Sequence, residues 1–220
     1  MESTTGFSTN AKNNRKSGLR TSMNGWDTGS PFFGSMMNRM FHALGMEPSR
    51  QAFDGLQVVR YTTRQAYVKH SDHFSITTND RFNWDPSTPG GSNRYATIFV
   101  YLHDMEDSDG GQTVFQHAKV FNKNPPYDRD PAVLEQGRQR ARDMFEASDW
   151  ELGLSMECLD EDILAVLPKR GRASMFYHQD PMTGEMHHKL AEHGACPILS
   201  EDGLKWGMNA WIWNGPRYMA

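Results

Sequence analysis

The stretch Tyr67-Val68-Lys69-His70-Ser71-Asp72-His73-Phe74 carries a His-x-Asp pair in a segment that alternates polar and apolar residues. In an extended strand, residues i and i+2 point to one face. The pattern therefore predicts that His70 and Asp72 offer an imidazole nitrogen and a carboxylate oxygen to a common point. Two such ligands do not hold an ion. A third His, Asp or Glu must come from elsewhere, and it can be distant in sequence if the strands close into a barrel.

Working outward, the chain supplies those strands. Leu56–Tyr61 (LQVVRY) and Gln65–His70 (QAYVKH) are strand-like runs across a turn. Tyr95–Leu102 (YATIFVYL) is the most apolar stretch and the best candidate for a buried central strand. Asp109-Gly110-Gly111 turns into another run ending at Phe115, and strands return at Ile163–Leu167, Ala173–Tyr177 and Lys205–Trp213. Residues 77–93, rich in Asn, Asp, Pro and Gly, read as a loop.

Two segments read as helices. Ser30-Pro31 is a start signal, Ser as the cap and Pro in the first turn. Phe32, Phe33, Met36, Met37, Met40, Phe41 and Leu44 then follow at helical spacing up to Gly45, a helix packing on a sheet. Residues 131–148 begin with Pro and place Val133, Leu134, Ala141, Met144 and Phe145 on one face. Many short strands divided by turn signals predict a mainly β (α+β) barrel or sandwich.

Composition bounds the rest. A chain of 220 residues with 19 Gly and 11 Pro suits one turn-rich domain, expected over residues 26–220 behind a weakly ordered Ser/Thr/Asn-rich lead over 1–25. A net charge of −4 gives no sign of a nucleic-acid surface. No apolar run approaches the roughly 20 residues of a membrane helix, and the start shows neither a secretory leader nor an anchor. Cys158 and Cys196 are too few for a disulfide framework; Cys196 reads as packing, and Cys158 takes no role.

Candidates for the third ligand are His103, His117, His178, His187, His188 and His193. His187 and His188 are adjacent, so on a strand they face opposite sides and read as surface residues. The most informative context is His193-Gly194-Ala195-Cys196-Pro197, followed by Lys205-Trp206-Gly207-Met208-Asn209-Ala210-Trp211. A His-x-Asp pair, a distant His and a Lys shortly after it stand in one order. That order resembles the Fe(II)- and 2-oxoglutarate-dependent dioxygenases, specifically the prolyl 4-hydroxylase family. The resemblance runs through Leu56–Tyr61, Tyr67-x-x-His70-x-Asp72, Arg94–Leu102, Gly110-Gly111-Gln112-Thr113, Pro168–Phe176 and the His193 and Lys205 blocks, covering roughly residues 18–214.

The resemblance implies a double-stranded β-helix, or jelly-roll barrel, with flanking N-terminal helices. It implies Fe(II) held by His70, Asp72 and His193, a triad that leaves three open positions. It places the far carboxylate of 2-oxoglutarate on Lys205, with Tyr61 and Tyr101 nearby, and a Pro-rich peptide against Tyr67, Arg94 and Trp211. The implied reaction consumes O2 and 2-oxoglutarate, releases succinate and carbon dioxide and hydroxylates a prolyl ring carbon, with L-ascorbate restoring the ferrous state. It also implies the endoplasmic reticulum or secretory pathway.

The chain departs from the family where Leu190-Ala191-Glu192 precedes the distal His, where Gln112 replaces the usual Glu, and where residues 118–160 read as an insertion. Alternatives are the same oxidation of another amino-acid side chain or a small molecule, and a non-catalytic barrel that binds Pro-rich peptides. A zinc hydrolase with a His-x-His-x-Asp-His pattern would need His at position 68, where Val68 stands.

Overall fold

Alternation of inward and outward side chains builds two antiparallel sheets in the computed structural model, which describes residues 21–76, 83–120, 129–180, 182–183, 185 and 189–217. The strands are β1 (Met23–Asp27), β2 (Phe53–Thr62), β3 (Tyr67–His70), β4 (Arg94–Tyr101), β5 (Thr113–Lys119), β6 (Ile163–Val166), β7 (Ala173–Tyr177), β8 (His193–Ala195) and β9 (Leu204–Trp213). One sheet has the order β1-β2-β9-β4-β7 and the other β3-β8-β5-β6. Strands distant in sequence therefore lie side by side. That is the jelly-roll arrangement, and it is what lets His193 meet His70.

The larger sheet has a different neighbour on each face. Outward, Leu56, Ile98, Met208, Ala210 and Ile212 pack under α1 (Pro31–Ala43), which contributes Phe33, Met40 and Phe41. The helix starts as its sequence predicts: Ser30 Oγ accepts from the Phe33 N–H, Pro31 opens the first turn, and Gly45 adopts φ +68° beyond the end. Burying one such side chain contributes about 1.5–3 kcal/mol. Inward, Val59, Tyr61, Phe99 and Tyr101 meet Phe115, Val166 and Ile198 and close one end of the barrel. The other end stays open.

Of the expected weakly ordered lead, residues 1–20 lie outside the described residues, while Met23–Asp27 is an edge strand paired to β2. One N-terminal helix flanks the large sheet among the described residues. Among its described residues the 118–160 stretch carries two helices, α2 (Pro131–Met144) and α3 (Trp150–Cys158). Phe145 is extended, so the expected 131–148 helix stops at Met144. Leu134 and Ala141 of α2 pack with Phe145, Leu159 and Leu199. A Cβ at Gly137 would come within 2.9 Å of the Leu159 Cδ2 methyl, so glycine lets α2 pack closely there. No helix among the described residues is long and apolar enough to cross a membrane.

One sequence expectation is corrected. Cys158 and Cys196 are joined, with Cα atoms 6.1 Å apart, so Cys196 is more than packing and Cys158 has a role. The bond ties the end of α3 to the residue that follows β8. Two cysteines cannot make a framework, but these two fasten the insertion to the strand that carries His193.

Candidate metal centre

His70 and His193 are cross-strand partners on β3 and β8. Their rings lie 4.4 Å apart between centroids. β3 ends at His70, so Asp72 sits in the following bend and not, as the alternation suggested, on the strand itself. The carboxylate still converges: Oδ1 is 3.6 Å from His70 Nε2 and Oδ2 is 3.6 Å from His193 Nε2. One donor atom from each of the three residues lies within 4.8 Å of the other two. Each 3.6 Å His–Asp separation is within the span of two donors bound to one ion with bonds of about 2 Å.

The imidazoles are set for this task. His70 Nδ1 lies 2.8 Å from the Val68 carbonyl, and His193 Nδ1 lies 2.9 Å from the Ala191 carbonyl. A carbonyl only accepts, so each Nδ1 carries the proton and each Nε2 presents its lone pair. Tyr67 stacks on His70 at 3.8 Å and fixes its plane. Burial pushes the His193 imidazole down to about 4, opposed by the Asp72 charge. Burial alone would raise the Asp72 carboxyl, but the neighbouring His193 and His70 rings hold it well below the usual carboxylate range. A neutral His193 imidazole beside an ionised Asp72 carboxylate suits a cation.

The bend bearing Asp72 is pinned from β4. Arg94 donates from NH1 to the Asp72 carbonyl at 3.0 Å and from Nε and NH2 to Asp54 Oδ2, both at 2.8 Å. Its guanidinium lies 4.1 Å from the Trp211 ring centroid. Asn93 holds Phe74, two residues after Asp72, accepting from the Phe74 N–H and donating to the Phe74 carbonyl. Arg94, expected to face substrate, lines the same cavity as the triad and gives three of its five N–H donors to Asp54 and Asp72.

Opposite the triad, Lys205 is 1% exposed, and its Nζ has no hydrogen-bond partner among the described residues. The rings of Tyr61, Phe99 and Tyr101 surround it at 5.3, 5.3 and 5.7 Å. Gly207 makes room for one of them, because a Cβ there would stand 2.2 Å from Phe99 Cζ. Loss of hydration pushes the Lys205 amine down to about 7. Facing aromatic rings are worth up to about 2 kcal/mol to a desolvated cation, less than the several kcal/mol that burying an unpaired charge costs. This is a site short of an anion.

One cavity of about 970 Å³ joins the two ends, with His70, Asp72 and His193 on one side and Tyr61, Thr113 and Lys205 on the other. Tyr61 lines it. Tyr101 does not: its hydroxyl lies 3.1 Å from Ser174 Oγ, and its ring only backs Lys205. Tyr67 and Trp211 line the mouth with Trp26 of β1, whose ring is 5.8 Å from Trp211 and which is 50% exposed. Trp26 escaped the sequence reading because nothing periodic marks its strand.

The remaining histidine candidates take other places. His178 is buried against Thr97, His117 pairs with Glu192 at 2.9 Å, and His103 is exposed. His187 and His188 lie outside the described residues.

A jelly roll with two histidines and one carboxylate at its open end defines a class: an oxygen-activating non-haem iron site. The 2OG-Fe(II) oxygenase superfamily matches residues 56–213, and the chain belongs to it. Among curated proteins it is similar to prolyl 4-hydroxylase 5 of Arabidopsis thaliana, 34% identical over 159 residues, which are 72% of this chain and 41% of that one. The probable prolyl 4-hydroxylase 3 of the same plant is 33% identical over 159 residues, covering 72% of this chain and 42% of the other. The matched region thus spans less than half the length of these relatives. The fold is similar to that of the viral collagen prolyl hydroxylase of Paramecium Bursaria Chlorella virus-1 in its 2OG complex, with a TM-score of 0.51 at 21% identity over 89% of this chain and 82% of that one.

The residues present fit the two groups that the family name implies. The donor set suits ferrous iron, and a buried lysine without a partner suits the remote carboxylate of 2-oxoglutarate.

Proposed function

We propose that this protein is a 2-oxoglutarate-dependent dioxygenase that hydroxylates peptidyl proline, in a single catalytic domain that begins with β1 at Met23 rather than at residue 26. The observation that carries the proposal is the pairing, in one cavity, of three metal donors with a buried cation that lacks an anion. The similarity to prolyl 4-hydroxylases supports the choice of substrate.

In this reading His70, Asp72 and His193 hold Fe(II). Lys205 pairs with the far carboxylate of 2-oxoglutarate, and Tyr61 and Phe99 keep water from that ion pair. Bound iron and 2-oxoglutarate supply the activation of dioxygen, with succinate and carbon dioxide as co-products. The protein's own contribution is orientation. Tyr67 fixes the His70 ring, Arg94 fixes the bend that bears Asp72, and Tyr67, Trp26 and Trp211 offer aromatic surface on which a prolyl ring packs. Ascorbate would be the external reductant for iron held by His70, Asp72 and His193. The buried Cys158–Cys196 bond supports an oxidising, secretory compartment.

The test is succinate formation from 2-oxoglutarate by purified protein with Fe(II) and ascorbate, with and without a Pro-rich peptide, followed by mass spectrometry of the peptide. Peptide-stimulated succinate with one oxygen added at proline is the expected result. Succinate without peptide stimulation would keep the oxygenase and move the substrate to another side chain or a small molecule. Iron binding without succinate would favour a binding module.

A further inference from the structure

His178 is fully buried, is absent from the metal donor cluster and has no part in the reaction described above. Its backbone N–H extends the β7–β4 ladder to the Tyr95 carbonyl at 2.8 Å, which turns the ring inward over Thr97. There, Thr97 Oγ1 stands 2.8 Å from Asp72 Oδ2 and 2.8 Å from His178 Nε2. Thr97, also fully buried, lies directly across from Trp211 of β9.

The direction of each bond follows from counting hydrogens. An ionised carboxylate only accepts, and a threonine hydroxyl has one hydrogen. That hydrogen goes to Asp72. The Thr97 oxygen must then accept from His178, so His178 is the Nε2–H tautomer. Its Nδ1 has no partner among the described residues, as expected of an imidazole that carries no proton there. Burial pushes the His178 imidazole down to about 3, so the neutral form persists across the physiological range.

We propose that Thr97 and His178 act as a two-step brace, in which His178 orients the Thr97 hydroxyl and the hydroxyl fixes the rotation of the Asp72 carboxylate for metal binding. Arg94 holds the same residue by its backbone, so Asp72 is fixed at both ends. Without the brace the carboxylate rotates about its last bond, and the metal pays for its ordering. Thr97 and His178 are positioning residues, since neither touches the metal. The inference rests on the assignment of His70, Asp72 and His193 as ligands.

The test titrates metal-free protein with Mn(II), a redox-stable stand-in for Fe(II), and follows free Mn(II) by its electron paramagnetic resonance signal. Partners of metal ligands typically contribute 10- to 100-fold in affinity. Thr97→Val is expected to weaken Mn(II) binding by about that factor, and Thr97→Ser, which keeps the hydroxyl, to remain within about threefold of wild type. His178→Phe, which keeps a ring and loses the donor, should weaken binding less than Thr97→Val. The double variant should match Thr97→Val, because His178 acts only through the hydroxyl.

Melting of each metal-free variant separates loss of fold from loss of affinity. If Thr97→Val does not fold, His178→Phe and Thr97→Ser carry the comparison. Wild-type affinity in Thr97→Val or in His178→Phe would overturn the brace, as would fully additive losses in the double variant. His193→Ala is the control: if it binds Mn(II) like wild type, the ligand assignment fails and the brace falls with it. Loss of binding in His193→Ala beside an unchanged Thr97→Val would sink the brace alone.

Discussion

The two ends of the cavity follow opposite rules. At the metal end each ligand already has an outer partner: Val68 O for His70, Ala191 O for His193, and Thr97 and Arg94 for Asp72. At the other end three rings surround the Lys205 amine, which has no hydrogen-bond partner among the described residues. The first end is organised before its ion arrives, so little ordering remains to oppose binding. The second is frustrated until an anion arrives, and it binds by relieving that frustration. The small sheet supplies most of the satisfied end and the large sheet the unsatisfied one.

The largest effect should come from breaking the satisfied end. His193→Ala removes one of three ligands and is expected to lower turnover by at least about a thousandfold, the several kcal/mol that a catalytic metal supplies. Its far-ultraviolet circular dichroism should stay like wild type. Retention of full activity would remove His193 from the site.

Next in size is the staple behind that end. Cys158→Ser with Cys196→Ser should cost about 2–4 kcal/mol in denaturant unfolding. The loss should be read first as weaker Mn(II) binding, because Cys196 stands three residues past His193. Equal weakening of metal and 2-oxoglutarate binding would mean the bond supports the whole barrel rather than the metal strand.

Lys205→Met sharpens the contrast by relieving the frustrated end without an anion. It is expected to weaken 2-oxoglutarate binding about 10- to 100-fold and to leave Mn(II) binding unchanged. The ligand-free protein should gain about 1–3 kcal/mol. That gain depends on pH. The folded amine titrates at about 7 against 10.5 for an ordinary lysine, so between those values the unfolded chain binds more protons. Wild-type stability from this group therefore rises with pH over that window, and the advantage of Lys205→Met shrinks from pH 7 towards pH 10. Thermal melts of both proteins at several pH values read it directly.

Much of this was legible in the residues. β2, β4 and β9 announce themselves by β-branched and aromatic runs, and α1 by its Ser-Pro start and methionine spacing. The His-x-Asp pair, His193 and Lys205 stand in a recognisable order, and the structure brings them to one cavity. Less was legible where elements are short or contacts are non-local. β8 has only three residues, His193–Ala195, too few to show a period. β1 is an edge strand whose residues are mostly exposed, so burial leaves no pattern in Met23–Asp27. Cys158 and Cys196 stand 38 residues apart, and only the packing of α3 against β5 and β6 brings them together. Thr97 reads as an ordinary strand residue and His178 only as one of six possible ligands, because their role exists only where β4, the end of β7 and the Asp72 bend meet.

The central claim is that Lys205 waits for a carboxylate, and calorimetry tests it most directly. Mn(II)-loaded protein would be titrated with 2-oxoglutarate between pH 6 and pH 9, in buffers of different ionisation heat, so that proton uptake is counted along with affinity. With a free amine titrating at about 7, uptake should rise from about 0.1 proton at pH 6 to about 0.9 at pH 8, with affinity falling above pH 7. Lys205→Met should show neither effect. Binding without proton uptake, or the same pH profile in Lys205→Met, would contradict the account.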